Sequence, residues 1–365
     1  MKALFINAVC GVKSTGRICI DLAKKLENEG YEVKIAYGRD TVPEEYAGYA
    51  VRIGNTPSVY LHGLMSKLFD ERGYWSTLAT KRFIKWADEY NPDLLWLHNL
   101  HDSFINLRVL FEWIKSRPKM AVKWTHHDCW AFTGSCFHYT CSKCNQWQSG
   151  CNKCPSKALV SNPPLIRTPK KNFSFKKACF TGVEKMELIA PSDWLAAQLK
   201  ISFLRDYPVN VIHNQIDTNV FKPISSDFRE KMGLTKARII LGVASVWSDK
   251  KGLYDFIKLS EMIGKNEKIV MVGLTKAQIK KMPQSIIALE KTNSCTELAK
   301  IYSSADVFVN LTYEDTYPTV NLEAQACGTP CLTYRTGGST ECVPEENVVD
   351  VGDLESLLAK IRALC

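Results

Sequence analysis

A helix flanked by acidic residues lies near the C-terminus of this 365-residue chain. Pro318 suits a helix start because it has no N–H to lose there, and residues 328 to 330, Gly-Thr-Pro, end the helix. The free N–H groups of a first turn form a natural site for an anion such as a diphosphate. Asp315 precedes this site and Glu323 follows about a turn into the helix. The alternative is an ordinary helix with acids near its favourable end.

Two adjacent lysines open another candidate helix. Residues 245 to 253 read Ser-Val-Trp-Ser-Asp-Lys-Lys-Gly-Leu and follow the apolar run 239 to 244. A lysine in such a loop can neutralise a phosphate and stabilise a diphosphate as it leaves. We assign that role to Lys251, whereas Lys250 alone reads as a solvated lysine.

A glycine loop and a group of histidines occupy the first half of the chain. Gly11 and Gly16 flank Lys13-Ser14-Thr15 in the predicted loop Cys10 to Arg17, whose spacing fits neither Walker A nor the dinucleotide fingerprint. His127 follows a predicted strand, where a ring nitrogen could hydrogen-bond a sugar hydroxyl or developing charge. The other clustered histidines are equally compatible with structural roles: His98, His101, His126 and His138.

Five of the 14 cysteines lie between residues 136 and 154. Their two Cys-x2-Cys steps are metal-ligand spacing, because two thiolates on one tight turn can meet a single tetrahedral ion. Disulfides are disfavoured in a cytosolic protein. Five cysteines permit several ligand sets, and a loop of free thiols is the alternative.

Length and composition indicate a two-domain α/β protein. A chain of 365 residues exceeds one ordinary core, and its 45% hydrophobic and 23% charged content is typical of a globular protein. The charge of +9 is dispersed and suits nucleic acid, anionic lipid or phosphorylated substrates without choosing among them. No run reaches the ~18 apolar residues of a membrane helix, so we expect a cytosolic protein.

Strands alternate with helix-sized segments in both halves, as in doubly wound sheets. A domain boundary is expected between residues 212 and 213, with a cleft between the domains as the ligand site. The predicted strands cover residues 3–9, 31–37, 94–97, 121–125, 188–190 and 209–212, then 239–244, 269–272, 307–310 and 331–334.

These motifs resemble family 4 of the retaining glycosyltransferases, whose donor site has an acid, seven residues and a Glu on a helix that ends in Ala-Cys-Gly-x-Pro. Asp315, Glu323 and residues 326 to 330 stand in that pattern, and further matches run through nearly the whole chain. The family usually has Glu at the first position, so Glu314, one residue out of register, is the rival candidate. The resemblance implies the GT-B fold, with two Rossmann-like doubly wound α/β domains and a cleft between them.

The resemblance implies a role for each donor-site residue. Asp315 contacts the donor sugar and Glu323 the ribose. Lys251, in the family's Lys-Gly pair, holds the diphosphate together with the backbone of Thr319 and Val320.

Further residues take their roles from the same resemblance. Lys250 stands in for an arginine that the family places in this loop, and Gly11 lies in a loop that borders the donor phosphates. The family has a histidine at the end of this strand that approaches the donor sugar, and His127 aligns with it better than His126 does. The catalytic candidates are therefore His127, Asp315 and Lys251.

The cysteines match those of a bacterial subgroup devoted to surface polysaccharides. The resemblance implies one structural zinc ion, in an insertion at residues 129–155. Its ligands would be Cys136, Cys144, Cys151 and Cys154, which leaves Cys141 as a spare.

The implied function is transfer of a sugar, with retention, from a UDP- or GDP-sugar to a growing O-antigen, capsule or exopolysaccharide. Residues 1–212 would bind a lipid-linked oligosaccharide acceptor, and residues 213–365 the nucleotide sugar. The absence of Asp-x-Asp fits a site that needs no catalytic metal, because lysine and a helix dipole receive the leaving phosphate. We expect a cytoplasmic protein with peripheral contact at the inner face of the cell membrane and no nucleic-acid partner.

Three other classes of protein are alternatives to a glycosyltransferase. A nucleic-acid-binding zinc module would account for the charge and cysteines but leaves the acidic helix without a purpose. A non-catalytic nucleotide-sugar-binding protein would lack turnover. A sugar-nucleotide epimerase of the same fold would act without an acceptor.

Overall fold

The computed structural model describes residues 1–152, 154–155 and 164–364. The chain divides into two compact units, Met1–His213 and Asn214–Cys365. This division falls one residue after the boundary expected from the sequence. In the described ranges, no helix is both long enough and apolar enough to cross a membrane.

The first unit is built on a parallel sheet covered by helices. Its strands are β1 (Lys2–Ile6), β2 (Glu32–Tyr37), β3 (Ala50–Arg52), β4 (Leu94–Leu97), β5 (Ala121–Thr125), β6 (Met186–Ala190) and β7 (Val209–Val211). Its helices are α1 (Lys13–Asn28), α2 (Thr56–Phe69), α3 (Thr77–Tyr90), α4 (Leu107–Lys115), α5 (Pro169–Phe180) and α6 (Asp193–Lys200). The strands pair in the order β3-β2-β1-β4-β5-β6-β7. Leu4 and Ile6 enter one apolar core and Ala3 and Phe5 another, because successive strand residues point to opposite faces.

The second unit repeats this architecture. Its strands are β8 (Arg238–Val243), β9 (Glu267–Val272), β10 (Ile286–Leu289), β11 (Val307–Asn310), β12 (Cys331–Tyr334) and β13 (Val348–Val349), in the order β10-β9-β8-β11-β12-β13. Its helices are α7 (Phe228–Lys231), α8 (Leu253–Met262), α9 (Lys276–Ile279), α10 (Cys295–Ser303), α11 (Thr319–Ala326) and α12 (Leu354–Leu364). Ile240 packs in the core formed with α8 and α12, and Leu241 in the core formed with α10 and α11.

The strand order of each sheet reverses at one place, between β1 and β4 in the first unit and between β8 and β11 in the second. Connections diverge there to opposite faces of the sheet and leave a crevice at the carboxyl ends of the strands, where ligands bind in open α/β folds. His98 follows β4 directly, while Lys250 and Lys251 lie in the connection after β8 and Asp315 in the one after β11. The topology therefore places these candidate site residues at the two points where the strand order reverses.

Most central strands match the sequence prediction to within two residues, but β1 ends at Ile6, three residues before its predicted end. Three edge strands were not predicted: β3, β10 and β13. The predicted glycine loop was wrong at its C-terminal end, because α1 begins at Lys13 and residues Lys13 to Arg17 belong to the helix. Gly16 is buried within that helix, where a Cβ would lie 3.1 Å from Val9 Cγ2 and 3.2 Å from the Gly11 nitrogen. Gly16 thus serves close helix packing and does not belong to a flexible loop.

Candidate functional site

The connection after β8 packs tightly on the connection after β11. Gly252 adopts a left-handed conformation with φ +75°, and a Cβ on it would lie 2.5 Å from the Leu311 carbonyl oxygen. The Tyr313 N–H donates to the Lys250 carbonyl oxygen at 2.8 Å. A residue larger than glycine would push these two connections apart.

Two ion pairs join the same connections. Lys250 Nζ lies 2.5 Å from Glu314 Oε2, and Lys251 Nζ lies 2.7 Å from Asp315 Oδ2. Lys251 also donates to Thr312 Oγ1 at 3.3 Å. The Glu314 side chain is only 4% exposed, whereas that of Asp315 is 18% exposed. Glu314 therefore lies inside the fold, and Asp315 is the acid nearer to solvent.

A buried carboxylate, that of Asp255, stabilises the contact between these two connections. Asp255 on α8 accepts hydrogen bonds from the hydroxyls of Tyr313, at 2.7 Å, and Tyr334, at 2.9 Å. Burial, followed by the Asp255 charge, raises the pKa of Tyr334, so its hydroxyl stays protonated and continues to donate. Asp255 thus connects the helix that follows Lys251 to the residue that precedes Glu314.

Helix α11 begins beside the ion pairs, with Pro318 as its N-cap residue. Asn321 in its first turn accepts from Asn310 Nδ2 at 2.7 Å, which ties the helix to the end of β11. The N–H groups of Thr319 and Val320 have no carbonyl partner one turn earlier in the helix and so suit an anion. The predicted phosphate-binding backbone is therefore anchored by a buried polar contact.

Glu323 lies one turn further along α11. The hydroxyl of the buried Tyr302 donates to Glu323 Oε2 at 3.1 Å. Burial, and then the Glu323 charge, raises the pKa of Tyr302 well above its ordinary value. This hydrogen bond fixes the carboxylate for which the family resemblance implies a contact with the ribose.

Sequence reasoning missed Thr312, Tyr302, Asp255 and Gly337. Gly337 has φ +49°, and a Cβ on it would lie 2.0 Å from the Asp315 carbonyl oxygen. The next residue, Gly338, donates its N–H to that oxygen at 3.2 Å. Of these residues only Gly337 left a signal in the sequence, as part of a Gly-Gly pair soon after a predicted strand.

In the first unit, Gly11 and two histidines lie at the reversal point. Gly11 is buried, and a Cβ on it would lie 2.3 Å from the ring of Tyr46. His98 Nδ1 lies 3.0 Å from His127 Nε2, and their rings are stacked. Burial lowers the pKa of His127 to about 4 and that of His98 well below its ordinary value. Both rings are therefore neutral near pH 7, and one nitrogen donates to the other.

The remaining clustered histidines have different environments. His126 is buried against Trp124, which leaves His127 as the more accessible of the two neighbours. His101 lies between two carboxylates, with Nδ1 3.1 Å from Asp102 and Nε2 3.0 Å from Asp128. Burial alone would lower the pKa of His101, but the charges of Asp128 and Asp102 outweigh it and raise the pKa to about 9. A charged His101 thus holds the loop that follows His127.

The four predicted zinc ligands line one pocket: Cys136, Cys144, Cys151 and Cys154. Cys141 does not line this pocket. In the described residues, no group of three or more His, Cys, Asp or Glu side chains is arranged to hold a metal ion. The donor chemistry fits zinc, and the ion itself stays a prediction. Four aromatic side chains of the same segment are buried and pack around the pocket or beside it: Trp130, Phe132, Tyr139 and Trp147.

Comparison with known proteins identifies the family. A model described as Glycosyltransferase Family 4 matches residues 15–220, and one described as Glycosyl transferases group 1 matches residues 237–365. The "Putative colanic acid biosynthesis glycosyl transferase WcaC" of Escherichia coli (strain K12) is 23% identical over 374 residues, covering 98% of this chain and 89% of that protein.

Solved structures share the fold. Sucrose-phosphate synthase (tll1590) from Thermosynechococcus elongatus has a TM-score of 0.72, and Anabaena Alr3699/HepE in complex with UDP-glucose has a TM-score of 0.66. Each is 16% identical, and each comparison covers 100% of this chain and 89% of the other. Likeness at this identity establishes the architecture and not the substrate. The Family 4 model matches more than half of the residues of this chain. The chain therefore belongs to Glycosyltransferase Family 4 and is a glycosyltransferase of the GT-B fold.

Proposed function

We propose that this glycosyltransferase moves a sugar from a nucleotide-sugar donor to a growing bacterial surface polysaccharide, with retention of the anomeric configuration. One observation carries the donor part of the proposal. The Lys251–Asp315 ion pair and the start of α11 lie on neighbouring connections at the strand reversal of the second unit. A cation, a helix N-terminus and two carboxylates together suit a sugar diphosphate.

Each donor group has a candidate partner. Lys251 and the N–H groups of Thr319 and Val320 bind the diphosphate and stabilise its charge as the bond to the sugar breaks. Glu323 accepts from the ribose hydroxyls, and Asp315 accepts from the sugar. When the diphosphate binds Lys251, the Asp315 carboxylate is released from its ion pair to meet the sugar.

The ion pair between the partly exposed Lys250 and the buried Glu314 supports the donor loop. Lys250 compensates the Glu314 charge and keeps the loop in place beside Lys251. No divalent ion is needed in this scheme, because lysine and the helix N-terminus supply the positive charge.

We further propose a UDP-sugar or GDP-sugar donor and a lipid-linked oligosaccharide acceptor. Alr3699/HepE was solved with UDP-glucose, and a structure described as trehalose-6-phosphate from E. coli is bound with UDP-2-fluoro glucose, which favours UDP-sugars as the first donors to test. The name of WcaC, a colanic acid biosynthesis enzyme, supports a polysaccharide acceptor.

His127, in its neutral form, hydrogen-bonds a hydroxyl of the donor sugar. The proposed location is the cytoplasm, with peripheral contact at the inner face of the cell membrane.

We also propose one structural zinc ion. The support is that Cys136, Cys144, Cys151 and Cys154 line one pocket while Cys141 does not. Four thiolates would complete a tetrahedral shell and leave no position for chemistry. The ion would hold the loop that follows His127.

Lys251→Ala and Glu323→Ala each should lower kcat/KM for donor turnover by roughly 10²- to 10³-fold, because each loses a charge-assisted contact to the donor. The measurement is the release of the nucleoside diphosphate, UDP or GDP, from the donor with and without EDTA. Lys258→Ala and Glu261→Ala, on the exposed side of α8, are matched controls and should retain wild-type turnover.

EDTA-sensitive turnover, or full activity in both donor-site variants, would contradict this assignment. Donor binding without turnover by the wild-type protein would favour a non-catalytic binding protein. Turnover that yields an epimer without any acceptor would favour an epimerase.

Asp315→Ala should reduce kcat/KM about tenfold more than Glu314→Ala, because Asp315 is the acid nearer to solvent. Glu314→Ala should instead lower the free energy of unfolding by about 1–3 kcal/mol, since it removes a buried partner of Lys250. Steady-state kinetics and urea unfolding of both variants separate the two effects. The reverse order of kcat/KM would make Glu314 the first acid of the motif.

Freshly purified protein should contain one zinc ion per chain by elemental analysis. Cys151→Ser should lose that zinc and lower Tm by roughly 5–10 °C, with a smaller loss of activity in the folded fraction. Cys141→Ser is the matched control and should keep its zinc. Protein without zinc, together with an unchanged Tm for Cys151→Ser, would show that the cysteines are unliganded thiols.

A further inference from the structure

A backbone N–H group donates directly to one of the cysteines of the pocket. The buried Gly134 N–H lies 3.1 Å from Cys151 Sγ. A Cβ on Gly134 would lie 2.9 Å from Cys151 Cβ and 2.7 Å from the carbonyl oxygen of Pro169, the first residue of α5. A residue larger than glycine would therefore push the cysteine and the start of α5 away from this N–H.

Two side chains that line the same pocket carry buried N–H groups. They are Trp147 Nε1 and Arg167 Nη1, and neither has a hydrogen-bond partner among the residues that the structure describes. Trp147 is only 1% exposed and the Nη1 atom of Arg167 is itself buried, so bulk water does not reach either group. An unpaired buried donor costs free energy, and the cost is larger when the group is charged. A strong acceptor inside the pocket would remove this cost.

Lys176 adds a buried cation beside the pocket. Its side chain is 1% exposed, and its Nζ donates to the Trp130 carbonyl oxygen and lies 4.1 Å from the centroid of the Trp130 ring. Burial lowers the pKa of Lys176 to about 7, while the charges of Cys151 and Asp70 raise it. A buried ammonium is costly unless anions compensate it. Negative charge on the nearby cysteines would therefore stabilise Lys176.

We propose that Gly134, Trp147, Arg167 and Lys176 form an outer shell around the cysteine site and set its affinity for zinc. A zinc ion bound by four thiolates is a dianion whose sulfurs accept hydrogen bonds. The two cations neutralise that charge, and the N–H groups of Gly134 and Trp147 orient the thiolates. All four are positioning residues, because they act through the cysteines. This inference rests on the proposed structural zinc and not on the donor chemistry.

The outer shell extends to the loop that follows His127. Lys176 contacts both the carbonyl oxygen and the ring of Trp130. The Trp130 N–H donates to Asp128 Oδ1 at 2.8 Å, and Asp128 pairs with His101. Lys176 thus joins the cysteine site to this loop.

Zinc affinity, measured on the whole protein by competition with a chelator, tests the proposal. Lys176→Met and Arg167→Met should each weaken zinc binding roughly 10- to 100-fold. Arg167→Lys keeps the charge and should recover most of that loss. Lys170→Met and Lys177→Met remove exposed lysines from the same end of the first unit, on α5, and should bind zinc like wild type.

The stability of the metal-free protein separates this role from packing. Metal-free Lys176→Met should have a Tm close to that of the metal-free wild type, because methionine fills similar space and removes a poorly compensated cation. A residue that serves only packing would give the opposite pattern, with a lower Tm before metal is added and an unchanged zinc affinity. That pattern would overturn the proposal.

Cobalt(II) in place of zinc gives a spectroscopic test of the N–H donors. In Trp147→Phe the sulfur-to-cobalt charge-transfer band should move to longer wavelength than in the wild type, because loss of an N–H donor raises the energy of the sulfur lone pairs. Zinc binding of wild-type strength in Lys176→Met and Arg167→Met, with an unshifted band in Trp147→Phe, would overturn the outer shell and leave the zinc site intact. A wild-type protein that does not bind zinc would overturn both.

Discussion

The close contact between the connections after β8 and β11 is the constraint on which the candidate donor site depends. These strands are parallel neighbours, and Gly252 allows the backbone to approach because a Cβ would lie 2.5 Å from the Leu311 carbonyl oxygen. That approach sets the hydrogen bond from the Tyr313 N–H to the Lys250 carbonyl oxygen, and with it the register of both ion pairs. A separation of the two connections would leave Asp315 without its lysine.

Charge is distributed differently in the two candidate sites. The second unit holds compensated ion pairs, and an incoming anion can exchange with the carboxylate of the more exposed pair. In the first unit, burial keeps His98 and His127 neutral while Asp102 and Asp128 keep His101 charged. His127 is therefore suited to hydrogen bonding near neutral pH, whereas His101 acts as a fixed cation that positions the loop after it.

Sequence alone predicted much of the fold because central parallel strands are continuous apolar runs, as β4 and β11 are. Short edge strands lack that signal, and β13 contains only two residues. The start of α11 was predicted because a local rule applies there, namely a proline before a helix. Asp255 could not be found in this way, because its role arises from Tyr313 and Tyr334, which are 58 and 79 residues away. The different burial of adjacent acids likewise depends on tertiary packing.

The most direct test of the central claim is the affinity of UDP, measured by calorimetry for the wild type, Lys251→Ala and Asp315→Ala. UDP lacks the sugar that Asp315 is proposed to bind, so in this assay Asp315 acts only as the partner that competes for Lys251. The account predicts weaker binding by Lys251→Ala and equal or tighter binding by Asp315→Ala, because the latter frees the lysine for the diphosphate. If both variants lose affinity equally while remaining folded, the ion pair is a structural element and the donor-site assignment is contradicted.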